Sequence, residues 1–149
     1  MVSLLIAGAL AAQTRAQPQQ PAEPPLVDMP RRVLEMTGAS PRECGRYPLR
    51  QANGRLEGAT SEQLEASVQC VREAIKAGQP FWTFVEHPGI DSWVANGFLR
   101  TASGDVHYFV YDSAPCGRPG CQPKLTLLLC QLPSVKRNGN GNAVGFDCP

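Results

Sequence analysis

The chain is predicted to be an α+β domain in which one main helix packs on an antiparallel β-meander of four or five strands, stapled by disulfides. Three observations carry this expectation. Residues 81–86, 93–101, 106–112 and 124–131 are four runs rich in aromatic and β-branched residues and Leu, separated by His87-Pro88-Gly89, Ala102-Ser103-Gly104 and a turn over 115–120. A capping sequence at Thr60 opens one amphipathic stretch. Six cysteines in a chain of 149 residues supply the staples.

With 42% hydrophobic and 18% charged residues, the chain suits one buried core plus tails, and a formal net charge of +1 gives no basic footprint for nucleic acid or an anionic membrane. Residues 4–12 form a short apolar run followed by Gln13-Thr14-Arg15-Ala16. These are the proportions of a signal peptide over 1–16, cut after Ala16 with Ala11 as second choice, although Met1-Val2-Ser3 lacks a basic side chain. The mature chain would be periplasmic or secreted, with no membrane-spanning segment. Residues 17–43 hold Pro18, Pro21, Pro24, Pro25 and Pro30 and read as a disordered tether, with room for a single helical turn at 31–36. The domain is expected over 44–149.

Thr60-Ser61-Glu62-Gln63 is a capping box, in which Thr60 and Gln63 satisfy each other's free backbone amides. Leu64, Val68, Val71 and Ile75 then form one stripe, and Gly78 with Pro80 ends the helix. Centring the strand turns on 88–89, 103–104 and the middle of 116–121 sorts the meander into two faces. The first carries Trp82, Phe84, Trp93, Leu99, Tyr108, Val110 and Leu127, and is the expected floor for the helix. The second carries Phe81, Phe98, Phe109, Leu128, Asn96, Arg100, His107 and Tyr111. Asn138-Gly139-Asn140-Gly141 predicts a terminal hairpin that places Cys130 opposite Cys148 and Leu132 opposite Phe146. Local pairing then joins Cys44 to Cys70 across the helix entry, Cys116 to Cys121 around one loop, and Cys130 to Cys148 across the hairpin.

Cys44-Gly45 before a capped helix bearing Cys70, Gly89-Ile90-Asp91-Ser92 opening a strand, Tyr111-Asp112-Ser113 closing the next, and a strand ending at Cys130 together resemble small exported bacterial domains of unknown function. The resemblance implies an α+β fold and an envelope or extracellular setting, and brings no catalytic residues with it. Cys116 and Cys121 depart from the pattern as an added staple.

The candidate chemistry is sparse. Glu86, His87 and Asp91 would form an acid-base cluster if they converged, but they read more simply as a polar turn. Cys116 and Cys121 flanking Arg118 would suit a thiol-redox pair, yet no C-x-x-C opens a helix there, and a stapled loop is the plainer reading. The cysteine and histidine spacings do not favour a metal, and no cofactor motif is present. The second face is the strongest candidate for binding: Phe98, Phe109 and Leu128, rimmed by Arg100, His107 and Tyr111, with Arg118 in the adjoining loop. The expected function is therefore an exported binding or inhibitor-like module without catalytic activity, acting on an envelope or extracellular protein. The rivals are a structural envelope protein and a small hydrolase or thiol-redox enzyme. A cover of residues 47–49 and the terminal hairpin would close the second face.

Overall fold

The elements follow in the order α1 (Asp28–Thr37), β1 (Arg42–Tyr47), β2 (Arg50–Ala52), β3 (Arg55–Glu57), α2 (Ser61–Lys76), β4 (Phe81–Pro88), β5 (Trp93–Arg100), β6 (Val106–Asp112), β7 (Lys124–Leu129), β8 (Ser134–Arg137) and β9 (Ala143–Asp147). This computed structural model describes residues 28–38, 40–52, 54–90, 92–117 and 121–149. The expected signal peptide with its cleavage sites at Ala16 and Ala11, the 17–27 part of the tether, Asp91 and Arg118 lie outside the described residues.

The central sheet has the order β1-β4-β5-β6-β7. β4 to β7 form the antiparallel meander that the apolar alternation predicts. The sheet as a whole is nevertheless mixed, because β1 runs parallel to β4. A parallel pair needs a crossover rather than a hairpin, and α2 lies within the connection from β1 to β4. The fifth strand is thus N-terminal, and the terminal hairpin forms a separate two-stranded sheet, β8–β9. In that hairpin Phe146 faces Val135, not Leu132, which is exposed. β2 and β3 pair only with each other.

The capping box on α2 is present in both directions: the Thr60 amide donates to Gln63 Oε1 (2.8 Å) and the Gln63 amide to Thr60 Oγ1 (3.3 Å). Leu64, Val68, Val71 and Ala74 are buried, and Ile75 is partly buried. Their floor is the face of Phe81, Val85 and Phe98, and Phe146 of β9 packs into the same cluster. This reverses the expected placement of the helix. The other face is the floor of α1, whose Val33 packs with Trp82, Phe84, Ala95, Leu99, Phe109 and Tyr111. The sheet is therefore sandwiched between α1 on one side and α2 with the terminal hairpin on the other, a three-layer arrangement.

The helix α1 also corrects the tether. Order begins by Asp28 rather than at Cys44, because residues 28–37 make a full helix that buries Val33 and Thr37. Pro30 falls in its first turn, where a missing amide costs nothing. Its C-terminus is anchored from the sheet, since the Ala102 amide donates to the Met36 carbonyl (3.2 Å).

The assignment of side chains to faces differs from the expected one at a single strand, β6. β4 and β5 pair four residues out of the expected register, with Phe81 opposite Arg100, but an even shift keeps their faces. Leu99 faces His107, and Gly97 faces Phe109, so His107, Phe109 and Tyr111 share the α1 face while Tyr108 and Val110 share the α2 face. The cause is the 101–105 turn. Gly104 adopts φ +101°, its amide donates to the Thr101 carbonyl, and the Thr101 amide bonds the Asp105 carbonyl (2.9 Å each). A left-handed residue after the turn adds one position to the loop, and a one-residue shift flips a whole strand. The next connection is also shifted by one, so Leu125, Leu127 and Leu129 return to the expected face.

All three disulfides join the expected partners: Cys44–Cys70, Cys116–Cys121 and Cys130–Cys148. Three such bridges in a chain this small fit an oxidising compartment. Among the described residues, no helix is long and apolar enough to cross a membrane.

Candidate functional site

The residues expected to form one binding patch are not on one surface. Phe98 lies beneath α2 and the hairpin, whereas Phe109 and Tyr111 lie beneath α1, and all three are fully buried. Arg100 is held by backbone: its Nε donates to the Gly104 carbonyl (3.1 Å) and its Nη1 to the Gly78 carbonyl just beyond α2. His107 is half-buried on the α1 face, and its Nδ1 is buried with no hydrogen-bond partner among the described residues. Leu128 stays 55% exposed on β7. Arg118 lies outside the described residues.

Strand alternation also separates the supposed acid-base cluster. Glu86 and His87 are consecutive in β4, so their side chains point to opposite faces. Glu86 Oε2 accepts the Leu49 amide (2.8 Å). Burial pushes the Glu86 carboxyl above its usual range, against the opposing pull of the Leu49 amide and the Arg46 charge. Its role is to hold the chain just after β1. Among the described residues, no group of three or more His, Cys, Asp or Glu is placed to bind a metal ion.

The aromatic face is closed only in part. Phe146 packs its ring 5.3 Å from that of Phe98, and Tyr108 flanks Phe98 at 5.8 Å. Beyond this plug the same face continues to Asn96, Val94 and His87, and there a cleft of about 320 Å³ opens between the sheet and the hairpin. Val94, Val110, Val144 and Phe146 supply its apolar lining, and Lys136 and Asp147 its charged residues.

The floor of the cleft is a chain of hydrogen bonds centred on the buried Asn96. Asn96 Nδ2 donates to the Phe146 carbonyl (3.0 Å) and to the Tyr108 hydroxyl oxygen (2.6 Å), while its Oδ1 meets His87 Nε2 at 2.8 Å. A backbone carbonyl can only accept, which fixes the orientation of the Asn96 amide. Oδ1 must then accept, so His87 carries a proton on Nε2. Tyr108 accepts from Asn96 and therefore keeps its own proton to donate. The amide of Asn96 is fully used in tying three strands and the hairpin together, and Tyr108 is the donor left at the cleft.

Two further depressions among the described residues are of another kind. One is lined by Arg46, Arg50, Glu57 and Gln63 beside the β2–β3 hairpin, and the second by Glu65, Arg72 and Arg137 between α2 and β8. Their long exposed side chains present charge of both signs without a buried polar floor.

Sequence reasoning placed Asn96 on the correct face without singling it out, and placed Tyr108 on the wrong one. A carboxamide between Ala95 and Gly97 in the middle of an apolar strand was the available signal, since such a group must find partners when buried. No family model, no curated protein and no solved structure matches this chain.

Proposed function

We propose that the chain is an exported, disulfide-stapled binding module, periplasmic or secreted, that holds an envelope or extracellular partner without transforming it. The observation that carries this reading is the Tyr108 hydroxyl, whose oxygen is occupied by Asn96 and whose proton is left to donate at an open, valine-lined cleft. A cleft of about 320 Å³ is at the small end for ligand sites, and suits a single aliphatic group with a carbonyl or carboxylate oxygen beside it. Lys136 on the rim adds positive charge for an anionic head. His87 is bonded to an amide rather than to a hydroxyl or thiol, which favours binding over nucleophilic chemistry. The three disulfides support the compartment.

N-acetylvaline is a probe of the required size and chemistry. Titration followed by NMR should move the Asn96 side-chain amide and the backbone amides of Gly145 and Phe146. Tyr108→Phe should weaken binding by about five- to tenfold while the protein stays folded, the loss expected for one hydrogen bond. Unchanged affinity in that variant, or shifts confined to other surfaces, would remove the cleft from the account.

A further inference from the structure

Among the described residues, β7 is an edge strand with an unusual lack of protection. It closes one side of the central sheet, and its sequence Lys-Leu-Thr-Leu-Leu-Leu has a charge only at its first residue, no proline and no bulge. Leu127, Leu128 and Leu129 are 37%, 55% and 74% exposed, and Leu132 just beyond is exposed too. Edge strands ordinarily carry charges, prolines or bulges that prevent pairing with another chain.

The hydrogen-bond parity of this edge follows from one bond. The Cys130 amide donates to the Val106 carbonyl (2.9 Å), so Cys130 and Val106 are a hydrogen-bonded pair of the antiparallel ladder. Such pairs alternate, which turns the backbone groups of Lys124, Thr126 and Leu128 toward β6 and those of Leu125, Leu127 and Leu129 outward. The outward groups lie at three alternate residues, as a second strand requires.

We propose that this edge is the seat of a second copy of the same chain, the two β7 strands pairing antiparallel about a two-fold axis at Leu127 to make one continuous sheet through both subunits. The register is set by the parity. Outward-facing residues must meet outward-facing residues, which places Leu127 opposite Leu127 of the partner subunit, Leu125 opposite Leu129 of the partner subunit, and Thr126 opposite Leu128 of the partner subunit. Both faces then bring apolar side chains together. Lys124 falls opposite Cys130 of the partner subunit, so the one charged residue of the strand does not meet its own copy. A closed two-fold contact uses the edge once on each subunit and leaves none of it open, which distinguishes it from an open fibre. The cleft is lined by β4, β5, β6 and the terminal hairpin, and stays accessible.

A six-residue edge is smaller than a standard interface, so dimerisation is expected with Kd on the order of 10–100 µM. Sedimentation velocity of the purified chain should move from the monomer to the dimer value across that range. Leu127→Lys places two like charges on the axis and should abolish the dimer, as should Leu127→Glu alone, both retaining the monomer's circular dichroism. Mixing the two variants should restore it, since opposite charges then meet at the axis. A wild-type chain that remains monomeric to about 1 mM, well above the Kd expected of so small a contact, would overturn the proposal. So would an undiminished dimer in Leu127→Lys, or a mixture that fails to associate.

Discussion

The two edges of the central sheet are built in opposite ways. β1 carries Arg42, Glu43 and Arg46, and its register against β4 breaks between Glu43 and Arg46, where Gly45 takes φ +138°. α2 lies against it and is tied to it by Cys44–Cys70 and by Arg42 to Glu73 (3.3 Å). The Tyr47 hydroxyl adds a third tie, donating to the Gln63 carbonyl (3.0 Å) and accepting from Ser67 (2.8 Å). Among the described residues, β7 has no bulge and no disulfide or ion pair tying a helix to it as α2 is tied to β1. The difference follows from chain order. A parallel strand comes with its crossover helix, which folds back along it, whereas the chain leaving β7 passes directly to Cys130 and is drawn by Cys148 onto the α2 face. Sealing an edge is therefore a consequence of how the strand is connected, and the last strand of a meander has to be sealed by other means.

The contrast can be broken most severely at the sealed edge. Replacing Cys44 and Cys70 by Ala should cost about 3.5 kcal/mol on the chain-entropy treatment of a loop of this length, read from chemical denaturation. Val71→Asp, on the helix that guards β1, should cost about 3 kcal/mol or more, because it buries an unpaired charge against Phe81 and Phe98. A loss of only a few tenths would mean that α2 does not sit on that face. Gly45→Ala should cost about 1–3 kcal/mol, since the left-handed backbone disfavours a side chain and the new Cβ would stand 2.4 Å from Ser67 Oγ.

Glu86 sharpens the picture through pH. Its carboxyl is raised above the ordinary value of 4.5 by burial, so the folded state disfavours the ionised form. The penalty is complete above the folded pKa and vanishes below the unfolded one. Glu86→Gln, which keeps an oxygen for the Leu49 amide, should be more stable than the parent at neutral pH, and thermal melts should show the gap closing as pH falls toward 4.5. At the open edge the smallest effect is expected: Leu129→Lys should change monomer stability by no more than about 0.5 kcal/mol, as its side chain is mostly in water.

The meander, the capped helix and all three disulfides were legible because each rests on a local pattern: alternation, a four-residue cap, or cysteines brought together by adjacent elements. β1 was not, since Arg42-Glu43-Cys44-Gly45-Arg46-Tyr47 has the polar look of a loop, which is what a charged, bulged edge strand resembles. α1 was reduced to a turn because a proline and a single buried stripe concealed it. The binding patch failed for a geometric reason. The left-handed Gly104 moved β6 by one residue, exchanging Phe109, Tyr111 and His107 for Tyr108 and Val110. The helix assignment failed for another: both faces of the sheet are apolar, so periodicity could not decide which one α2 would cover.

Amide hydrogen exchange along β7, followed residue by residue as the protein is concentrated, tests the open edge most directly. In dilute solution Thr126, Leu128 and Cys130 should be protected by β6 while Leu125, Leu127 and Leu129 exchange rapidly, and concentration should slow these three together. Protection of Leu125, Leu127 and Leu129 equal to that of their neighbours in dilute solution would show the edge already covered within one chain, and would contradict the account.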